Sequence, residues 1–254
     1  MRQNPIRRAL AEGRPVVGTM LAELNSPALP MVLARCGMDF VFLDMEHGPF
    51  DMSSVAYLCK VARLAGIAPL VRVPDALYHL IARVLDAGAM GVMVPRVETR
   101  ETVERMLRAL RYPPQGERGC SIGRGNSEYV QEPLWEYTRQ ANQEILAVVQ
   151  VEKREAVENI DQLLSVPGVD VALIGPMDLT LSLGAATPKD PQVQDAILRV
   201  LEAGRRHGVA TGIHLRDKEH LRHWRDKGMS MLMYSTELGF IAEQASQAVN
   251  FLKG

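Results

Sequence analysis

The sequence predicts one (β/α)8 barrel, an α/β fold in which each of eight parallel strands is followed by a helix. Three observations predict it. The length of 254 residues suits one barrel of this kind. Short apolar runs typical of buried strands occur eight times, with helical periodicity between them. Helical segments repeatedly end in glycine just before the next run. We therefore interpret residues 1–254 as a single domain.

The predicted strands are continuous apolar runs, as strands buried on both faces require. They span residues 15–21, 40–45, 68–73, 91–95, 145–152, 170–175, 209–214 and 229–235. Strict alternation with helices implies parallel strands and right-handed crossovers. Eight strands in a chain of this length favour a closed barrel over an open sheet. No GxGxxG turn follows a strand, which argues against a dinucleotide-binding sheet.

The helices are predicted from apolar periodicity and from their ends. Val103, Met106, Leu107 and Leu110 are spaced as i, i+3, i+4 and i+7, which is one face of a helix. A glycine that adopts the left-handed conformation closes many helices. We expect such closing residues at Gly37, Gly66, Gly88, Gly208 and Gly228. The segment 112–130 is rich in Gly, Pro, Ser and Arg and too long for a plain connector, so we expect an active-site loop there.

Composition and charge exclude several classes of function. Lys and Arg total 29 against 30 Asp and Glu, so no electrostatic case exists for nucleic acid or an anionic membrane as partner. The three cysteines, Cys36, Cys59 and Cys120, form no CxxC pair, which argues against a disulfide framework or a zinc ribbon. The N-terminal segment lacks the apolar core of a secretory signal, and no apolar run is long enough for a membrane helix. We expect a cytoplasmic enzyme.

In barrels of this kind the catalytic groups stand at the carboxyl ends of the strands. Glu152 and Asp178 follow adjacent strands, and two carboxylates without Cys or His beside them suit Mg²⁺ or Mn²⁺. The alternative is a pair of solvated carboxylates, or ion pairs with Lys153 and Arg154. His214 ends the seventh strand and faces the same mouth of the barrel.

Two further strand ends carry candidate catalytic groups. His47 follows Asp44 closely, and an imidazole oriented by a carboxylate is a good general base near neutral pH. The alternative is that both residues only cap backbone groups. Arg72 lies inside the apolar run LVRVP, where a cation is costly unless it faces an anion or a developing negative charge. Its alternative role is an ion pair with Asp44 or Glu46.

Two features that the sequence lacks argue against two classes of barrel enzyme. A Schiff-base aldolase needs a lysine inside the barrel. Only Lys153 lies near a strand end, and it should point away from the mouth if Glu152 points in. The loops after the last two strands also lack the glycine-rich turn that binds phosphate in many barrels. Imine chemistry and phosphosugar substrates are therefore disfavoured.

Extended motifs over nearly the whole chain resemble the HpcH/HpaI family of metal-dependent pyruvate aldolases. They are FVFLDMEHGPFD (40–51), LVRV (70–73), VLDAGAMGVMVPRVET (84–99), YPPQGERG (112–119), VVQVEKREAVENI (148–160) and VDVALIGPMDLTLSLG (169–184). The resemblance implies a TIM barrel of the phosphoenolpyruvate/pyruvate superfamily type, with the last helix exchanged between subunits of a homohexamer.

The resemblance also implies an activity. It is that of a class II lyase that cleaves or forms a 4-hydroxy-2-oxo acid through a metal-stabilised pyruvate enolate, like the 4-hydroxy-2-oxoheptanedioate and 2-dehydro-3-deoxyglucarate aldolases. The expected partners are a small 2-oxo acid and an aldehyde. The expected cofactor is a divalent cation, Mg²⁺, Mn²⁺ or Co²⁺.

The roles of individual residues follow from the same resemblance. It places the metal ligands at Glu152 and Asp178, and a catalytic His–Asp pair at His47 and Asp44. Arg72 matches the arginine that stabilises the enolate. The remaining matches are Gln150 in the substrate site, Gly175, Pro176 and Met177 around the substrate carboxylate, and Asp86, which reaches into the site of an adjacent subunit.

Three departures from the family pattern concern the acceptor. Met177 stands where alanine is usual, and Ile213–Leu215 replaces an aliphatic and alanine pattern. In the stretch 120–129, Arg124 either binds a distal carboxylate or pairs with Glu128.

Two other functions stay open. One is a citrate synthase/lyase-like enzyme that decarboxylates oxaloacetate or condenses an acyl-CoA. The other is a catalytically silent barrel, which predicts lost ligands, whereas all the matched residues are present.

Overall fold

The computed structural model describes residues 3–254, which form a closed barrel of eight parallel strands. The strands are β1 (Val16–Leu21), β2 (Phe40–Asp44), β3 (Ala68–Arg72), β4 (Gly91–Val94), β5 (Leu146–Val151), β6 (Val171–Ile174), β7 (Ala210–Leu215) and β8 (Met231–Thr236). Each pairs with the next in the chain, and β8 pairs with β1 to close the sheet. The predicted TIM barrel is confirmed, with every strand at its expected place.

Helices surround the barrel. They are α1 (Pro5–Ala11), α2 (Ala28–Arg35), α3 (Met52–Ala65), α4 (Tyr78–Asp86), α5 (Arg100–Leu110), α6 (Leu134–Glu144), α7 (Arg154–Glu158), α8 (Ile160–Leu164), α9 (Pro176–Leu183), α10 (Pro191–His207), α11 (Lys218–Asp226) and α12 (Glu237–Lys253). The five glycines predicted to close helices all have positive φ, between 66° and 111°. None of the helices in this part of the chain has the length and apolar character that crossing a bilayer requires.

Alternation along each strand divides the core into two layers. One set of side chains, including Val41, Val71 and Val149, faces the surrounding helices. The other set, including Phe42, Leu70 and Val148, fills the barrel as an apolar plug. The inner layer has little spare room, because a Cβ on Gly18 would lie 2.4 Å from the ring of Phe40. The inward positions that follow the plug at the carboxyl ends of the strands are polar.

The amino-terminal end of the barrel is closed by α1. Ile6 and Ala9 of this helix pack on the apolar plug. The Asn4 side chain caps α1 and donates to the carbonyl oxygens of Met90 and Glu144. A substrate therefore reaches the polar layer only from the carboxyl ends of the strands.

The segment 112–130 does not form an active-site loop over its own barrel. It connects α5 to α6, and it begins at the end of the barrel opposite the mouth, where α5 ends. Within it, a short 3₁₀ turn (Gly125–Ser127) contacts α3 and α4 on the outer surface. Within one chain the segment lies outside the barrel and not over its mouth, so the expected active-site loop stays a prediction.

Candidate active site

The polar layer consists of side chains at the strand ends that point into the barrel, because side chains alternate between the two faces of a strand. Asp44 and Arg72 end β2 and β3 and are registered partners in the sheet. Gln150 and Glu152 occupy alternate positions at the end of β5, and His214 lies near the end of β7. Asp44, Arg72 and Gln150 lie two positions after Phe42, Leu70 and Val148 of the plug, on the same face of their strands. The polar layer therefore covers the apolar plug at the mouth of the barrel.

Arg72 is held by two carboxylates. Its Nε donates to Asp44 Oδ1 at 2.9 Å and its Nη2 to Asp44 Oδ2 at 2.6 Å, which is a bidentate ion pair. Its Nη1 lies 3.1 Å from Glu46 Oε2. Burial opposes the charge of Arg72, but these carboxylates outweigh that effect and raise the pKa of Arg72. The guanidinium is therefore a fixed cation in the mouth, and the expected ion pair with Asp44 or Glu46 is formed with both.

Asp44 and His47 do not form the side-chain pair that the sequence led us to expect. Besides Arg72, Asp44 Oδ1 accepts the backbone N–H groups of Glu46 and His47 at 3.0 and 3.3 Å. Burial works to raise the pKa of Asp44, but these hydrogen bonds and the charge of Arg72 hold the pKa below its usual value. The His47 imidazole is 68% exposed, and its Nε2 lies 3.9 Å from Glu46 Oε2. The Asp44 carboxylate therefore binds Arg72, and the His47 imidazole is exposed at the rim of the barrel mouth.

Glu152 is a buried carboxylate held by neighbours on both sides. Its Oε1 accepts the backbone N–H of Arg96 at 2.7 Å, and its Oε2 accepts from the Gln150 amide. Burial raises the pKa of Glu152, and the nearby carboxylates of Glu46 and Asp178 add to the rise. Gly175 leaves the space that Glu152 needs, because a Cβ there would lie 2.9 Å from Glu152 Oε2.

The donor set around Glu152 fits a hard divalent cation. Asp178 is an exposed residue in the first turn of α9, close enough to raise the pKa of Glu152. The amide oxygen of Gln150 is buried without a hydrogen-bond partner. All these groups offer oxygen, as Mg²⁺ and Mn²⁺ prefer. Within residues 3–254 no three His, Cys, Asp or Glu side chains group into a complete metal site. Glu152 and Asp178 would thus leave positions for substrate oxygens.

The turn after β6 offers backbone donors beside Glu152. Gly175 precedes α9, and that helix starts at Pro176 without a side-chain cap. Met177 is 64% exposed at the same turn. Uncapped N–H groups and the helix dipole attract a carboxylate.

His214 is fixed by a hydrogen bond across to β8. Its Nε2 lies 2.8 Å from the carbonyl oxygen of Ser235, a residue with φ of 56° in the left-handed region. The same carbonyl accepts the Thr19 hydroxyl at 3.1 Å. Burial, with the charges of Arg72 and Arg216, lowers the pKa of His214 to about 4.

Asp86 and Arg124 are not brought to this mouth. Asp86 ends α4 and accepts from Arg118 Nη2 at 2.7 Å. Arg124 lies in the 112–130 segment, and both residues line a cavity of about 320 Å³ between α3, α4 and that segment. Glu128, the alternative partner considered for Arg124, accepts from Arg63 Nε at 3.2 Å.

The residues that sequence reasoning left out of the site are Arg96, Glu46 and Ser235. Arg96 follows β4 with φ of 51°, which turns its N–H toward Glu152. The strand-end rule would have found Arg96, because it follows β4 just as Glu152 follows β5. Glu46 was considered only as an alternative ion-pair partner of Arg72, and that ion pair is present. The conformation of Ser235 had no sequence signal.

Asp44→Asn should destabilise the protein by about 3–5 kcal/mol at neutral pH, because it leaves the buried Arg72 without its bidentate partner. Since folding lowers the pKa of Asp44, its contribution is full above the ordinary carboxyl pKa and is lost as pH falls through the lowered value. Urea unfolding of both proteins between pH 3 and 7 measures the difference. A gap that stayed constant down to pH 3 would contradict the ion-pair account.

Comparison with known proteins agrees with this architecture. The family model of HpcH/HpaI aldolase/citrate lyase matches residues 19–243. A hydroxypyruvate/pyruvate aldolase of Roseovarius nubinhibens is 34% identical over 251 residues, which cover 97% of this chain and 95% of the relative.

Two solved structures are also similar. An HpcH/HpaI aldolase from Desulfitobacterium hafniense superposes with a TM-score of 0.93 at 32% identity, over 97% of this chain and 96% of the other. The citrate synthase SbnG superposes with a TM-score of 0.89 at 31% identity, over 99% and 98% of the two chains. A match of this extent, on the barrel just described, shows that the chain belongs to the HpcH/HpaI aldolase/citrate lyase family of carbon–carbon lyases.

Proposed function

We propose that the protein is a divalent-cation-dependent aldolase that cleaves or forms a 4-hydroxy-2-oxo acid through the enolate of pyruvate. The observation that carries the proposal is one juxtaposition at the mouth. A carboxylate pair suited to a cation lies beside a buried arginine that two other carboxylates hold in place. An enolate needs that combination, because its negative charge develops on an oxygen next to a carboxylate.

Glu152 and Asp178 would hold Mg²⁺, Mn²⁺ or Co²⁺. When bound, the cation supplies Lewis-acid stabilisation to the keto and carboxylate oxygens of the 2-oxo acid. The protein contributes the rest of the binding. The amide of Gln150 fixes Glu152, and the uncapped turn Gly175–Met177 offers N–H groups to the substrate carboxylate.

Arg72 would bind the oxygen that becomes the enolate oxygen. A guanidinium has five N–H donors. Asp44 takes one from Nε and one from Nη2, and Nη2 also faces the sulfur of Met20. Nη1 lies 3.1 Å from Glu46 Oε2 as an ion pair without a hydrogen bond, so its N–H groups are available to a substrate oxygen. Because Asp44 fixes the guanidinium before substrate arrives, little reorganisation is needed at reaction.

In the cleavage direction the proton of the 4-hydroxyl leaves to a base and the C3–C4 bond breaks. C4 becomes the aldehyde carbonyl, and the electron pair moves through C3 to the 2-oxo oxygen. A proton returned to C3 gives pyruvate. His47 is the base in this proposal, acting through water, because its imidazole is at the rim and free of a close partner.

Asp86 would complete the site from an adjacent subunit. Asp44 is paired with Arg72, and the Glu46 carboxylate that lies 3.9 Å from His47 Nε2 is itself paired with Arg72, so no described carboxylate is close enough to hydrogen-bond to the His47 imidazole. Asp86 lies beside a cavity on the outer surface, where Arg118 holds it. The last helix, α12, supports assembly, because only its first residue is buried and Phe251 and Leu252 are 87% and 80% exposed. We propose a homohexamer in which α12 packs on a neighbouring subunit.

The second candidate function is condensation or decarboxylation on the same scaffold. The likeness to the citrate synthase SbnG favours it, since that structure superposes over almost the whole chain. All three reactions share an enolate, so the same mouth would serve. Assays with oxaloacetate alone and with oxaloacetate plus acetyl-CoA separate them from aldol cleavage.

Loss of either cation ligand should abolish activity. Glu152→Gln and Asp178→Asn should each lower kcat at least 100-fold, because they remove stabilisation of the enolate. Pyruvate release from a 4-hydroxy-2-oxo acid, measured with Mg²⁺ and with EDTA, gives the rate. Mn²⁺ binding followed by electron paramagnetic resonance gives the affinity. Asp195→Asn, at an exposed position on α10, is the matched control. Full activity of the Glu152 variant in EDTA would refute the cation role.

Two inactive variants should complement each other if the site is shared between subunits. His47→Ala and Asp86→Ala should each be inactive alone. After unfolding and refolding as an equal mixture they should recover about a quarter of wild-type activity, because random assortment places an intact Asp86 beside an intact His47 in one case of four. Native mass spectrometry verifies that mixed oligomers have formed. If they recover no activity, either both residues act within one chain or Asp86 is not part of the site.

A further inference from the structure

Asp86 is a carboxylate at a position where its charge is unfavourable. It is the last residue of α4, and the helix dipole places partial negative charge at that end. Its side chain is 30% exposed, and its Oδ1 accepts from Arg118 Nη2 at 2.7 Å. No residue in the described part of the chain donates to Oδ2. Asp86 is therefore held through one oxygen, and its other oxygen can accept a hydrogen bond.

Arg118 binds this carboxylate from the interior of the protein. The Arg118 side chain has no exposed surface. Its guanidinium carbon lies 4.6 Å from the centre of the Tyr112 ring, which is a cation–π contact. The backbone N–H of Arg118 donates to the carbonyl oxygen of Arg111 at 2.9 Å. The guanidinium therefore has one fixed position below the Asp86 carboxylate.

Stability alone does not account for this arrangement. Nε and Nη1 of Arg118 are buried without a hydrogen-bond partner. A buried guanidinium with unsatisfied N–H groups costs free energy, and an ion pair with a partly exposed carboxylate offsets little of it. An apolar side chain at this position would pack against Tyr112 without that cost. Local arrangements that cost stability are expected at functional sites, so the cost indicates that the position of the Asp86 carboxylate is used.

The segment 112–130, which contains Arg118, is bound to the barrel on two sides. The Asn142 side chain of α6 accepts the backbone N–H of Tyr112 at 2.7 Å and donates to its carbonyl oxygen at 2.9 Å. Gly125 packs on the end of α4, because a Cβ there would lie 2.5 Å from the carbonyl oxygen of Ala87. The segment thus connects α6 to the end of α4 that carries Asp86.

We propose that Arg118 is a positioning residue that holds Asp86 where it reaches the His47 imidazole of an adjacent subunit. The inference rests on the proposed shared site, in which Asp86 orients that imidazole. Arg118 binds Oδ1 of Asp86, and Oδ2 accepts one ring N–H of His47, so the other ring nitrogen acts as the base. The segment 112–130 then contributes to catalysis in the neighbouring barrel, although it lies outside the mouth of its own.

Loss of Arg118 should lower kcat and leave KM unchanged. Arg118→Met removes the charge and the donors but keeps an unbranched side chain. Its kcat for pyruvate release from a 4-hydroxy-2-oxo acid should fall about 100-fold, as expected for a misplaced catalytic group. KM should not change, because the cation ligands and Arg72 are intact, whereas a distorted barrel would change both constants. Arg108→Met, at an exposed arginine on α5, is the matched control.

Mixed oligomers show in which subunit Arg118 acts. Refolded with an equal amount of His47→Ala, Arg118→Met should recover about a quarter of wild-type activity, because an intact His47 of one chain meets an intact Arg118–Asp86 pair of the other. Refolded with Asp86→Ala, it should stay at the activity of the single variants, because neither chain carries both members of the pair. Native mass spectrometry verifies that the mixtures have assembled.

A second variant serves if Arg118→Met does not assemble. Arg118→Lys keeps the buried charge, but an ammonium on a flexible stem lacks the fixed geometry of a guanidinium. Its kcat should fall less than that of Arg118→Met, and the same two mixtures should give the same pattern. Full kcat in either variant would overturn the inference.

The mixtures separate this inference from the proposals on which it rests. Recovery of Arg118→Met with Asp86→Ala would show that the two residues need not share a chain and would overturn the inference. If His47→Ala recovers with Asp86→Ala but not with Arg118→Met, Arg118 supports its own barrel, so the shared site stands and the inference fails. If His47→Ala and Asp86→Ala do not complement each other, both fail. Wild-type protein that releases no pyruvate would refute the aldolase proposal and this inference with it.

Discussion

The bidentate ion pair between Asp44 and Arg72 is the interaction on which the rest of the site depends. It joins registered residues of neighbouring strands at the top of the apolar plug. A buried guanidinium without such partners would be costly, so Asp44 and Glu46 are needed for Arg72 to stand there at all. Held in this way, Arg72 is a fixed cation at the mouth. In the proposed mechanism the same ion pair also prepares Arg72 to bind the enolate oxygen.

That commitment has a consequence for His47. Asp44 is engaged by Arg72 and by two backbone N–H groups, so among the described carboxylates the contact to Glu46 at 3.9 Å is the ion-pair contact that the imidazole keeps at the rim. The barrel mouth therefore contains two carboxylates suited to a cation, a fixed arginine and an imidazole without a close carboxylate. The exposed helix α12 and the position of Asp86 on the outer surface are the features on which the proposed assembly of subunits rests.

Much of the fold could be predicted from the sequence because its signals are local. Apolar runs, helix periodicity and closing glycines place all eight strands and the helices between them. The strand-end rule also finds Arg72, Glu152 and His214, since parallel strands bring their carboxyl ends together. What failed depends on contacts between distant residues. The sequence suggests both His47 and Arg72 as partners of Asp44, and nothing in the order of the residues decides that the carboxylate binds Arg72.

The most direct test of the account is enolate formation by pyruvate alone. The protein is incubated with pyruvate and Mg²⁺ or Mn²⁺ in D₂O, and the methyl protons are followed by NMR. We predict loss of the methyl signal above a protein-free control, suppressed by EDTA and slowed about 100-fold or more in Arg72→Lys, which keeps the charge but not the bidentate fork. Undiminished exchange in Arg72→Lys or in EDTA would contradict the account.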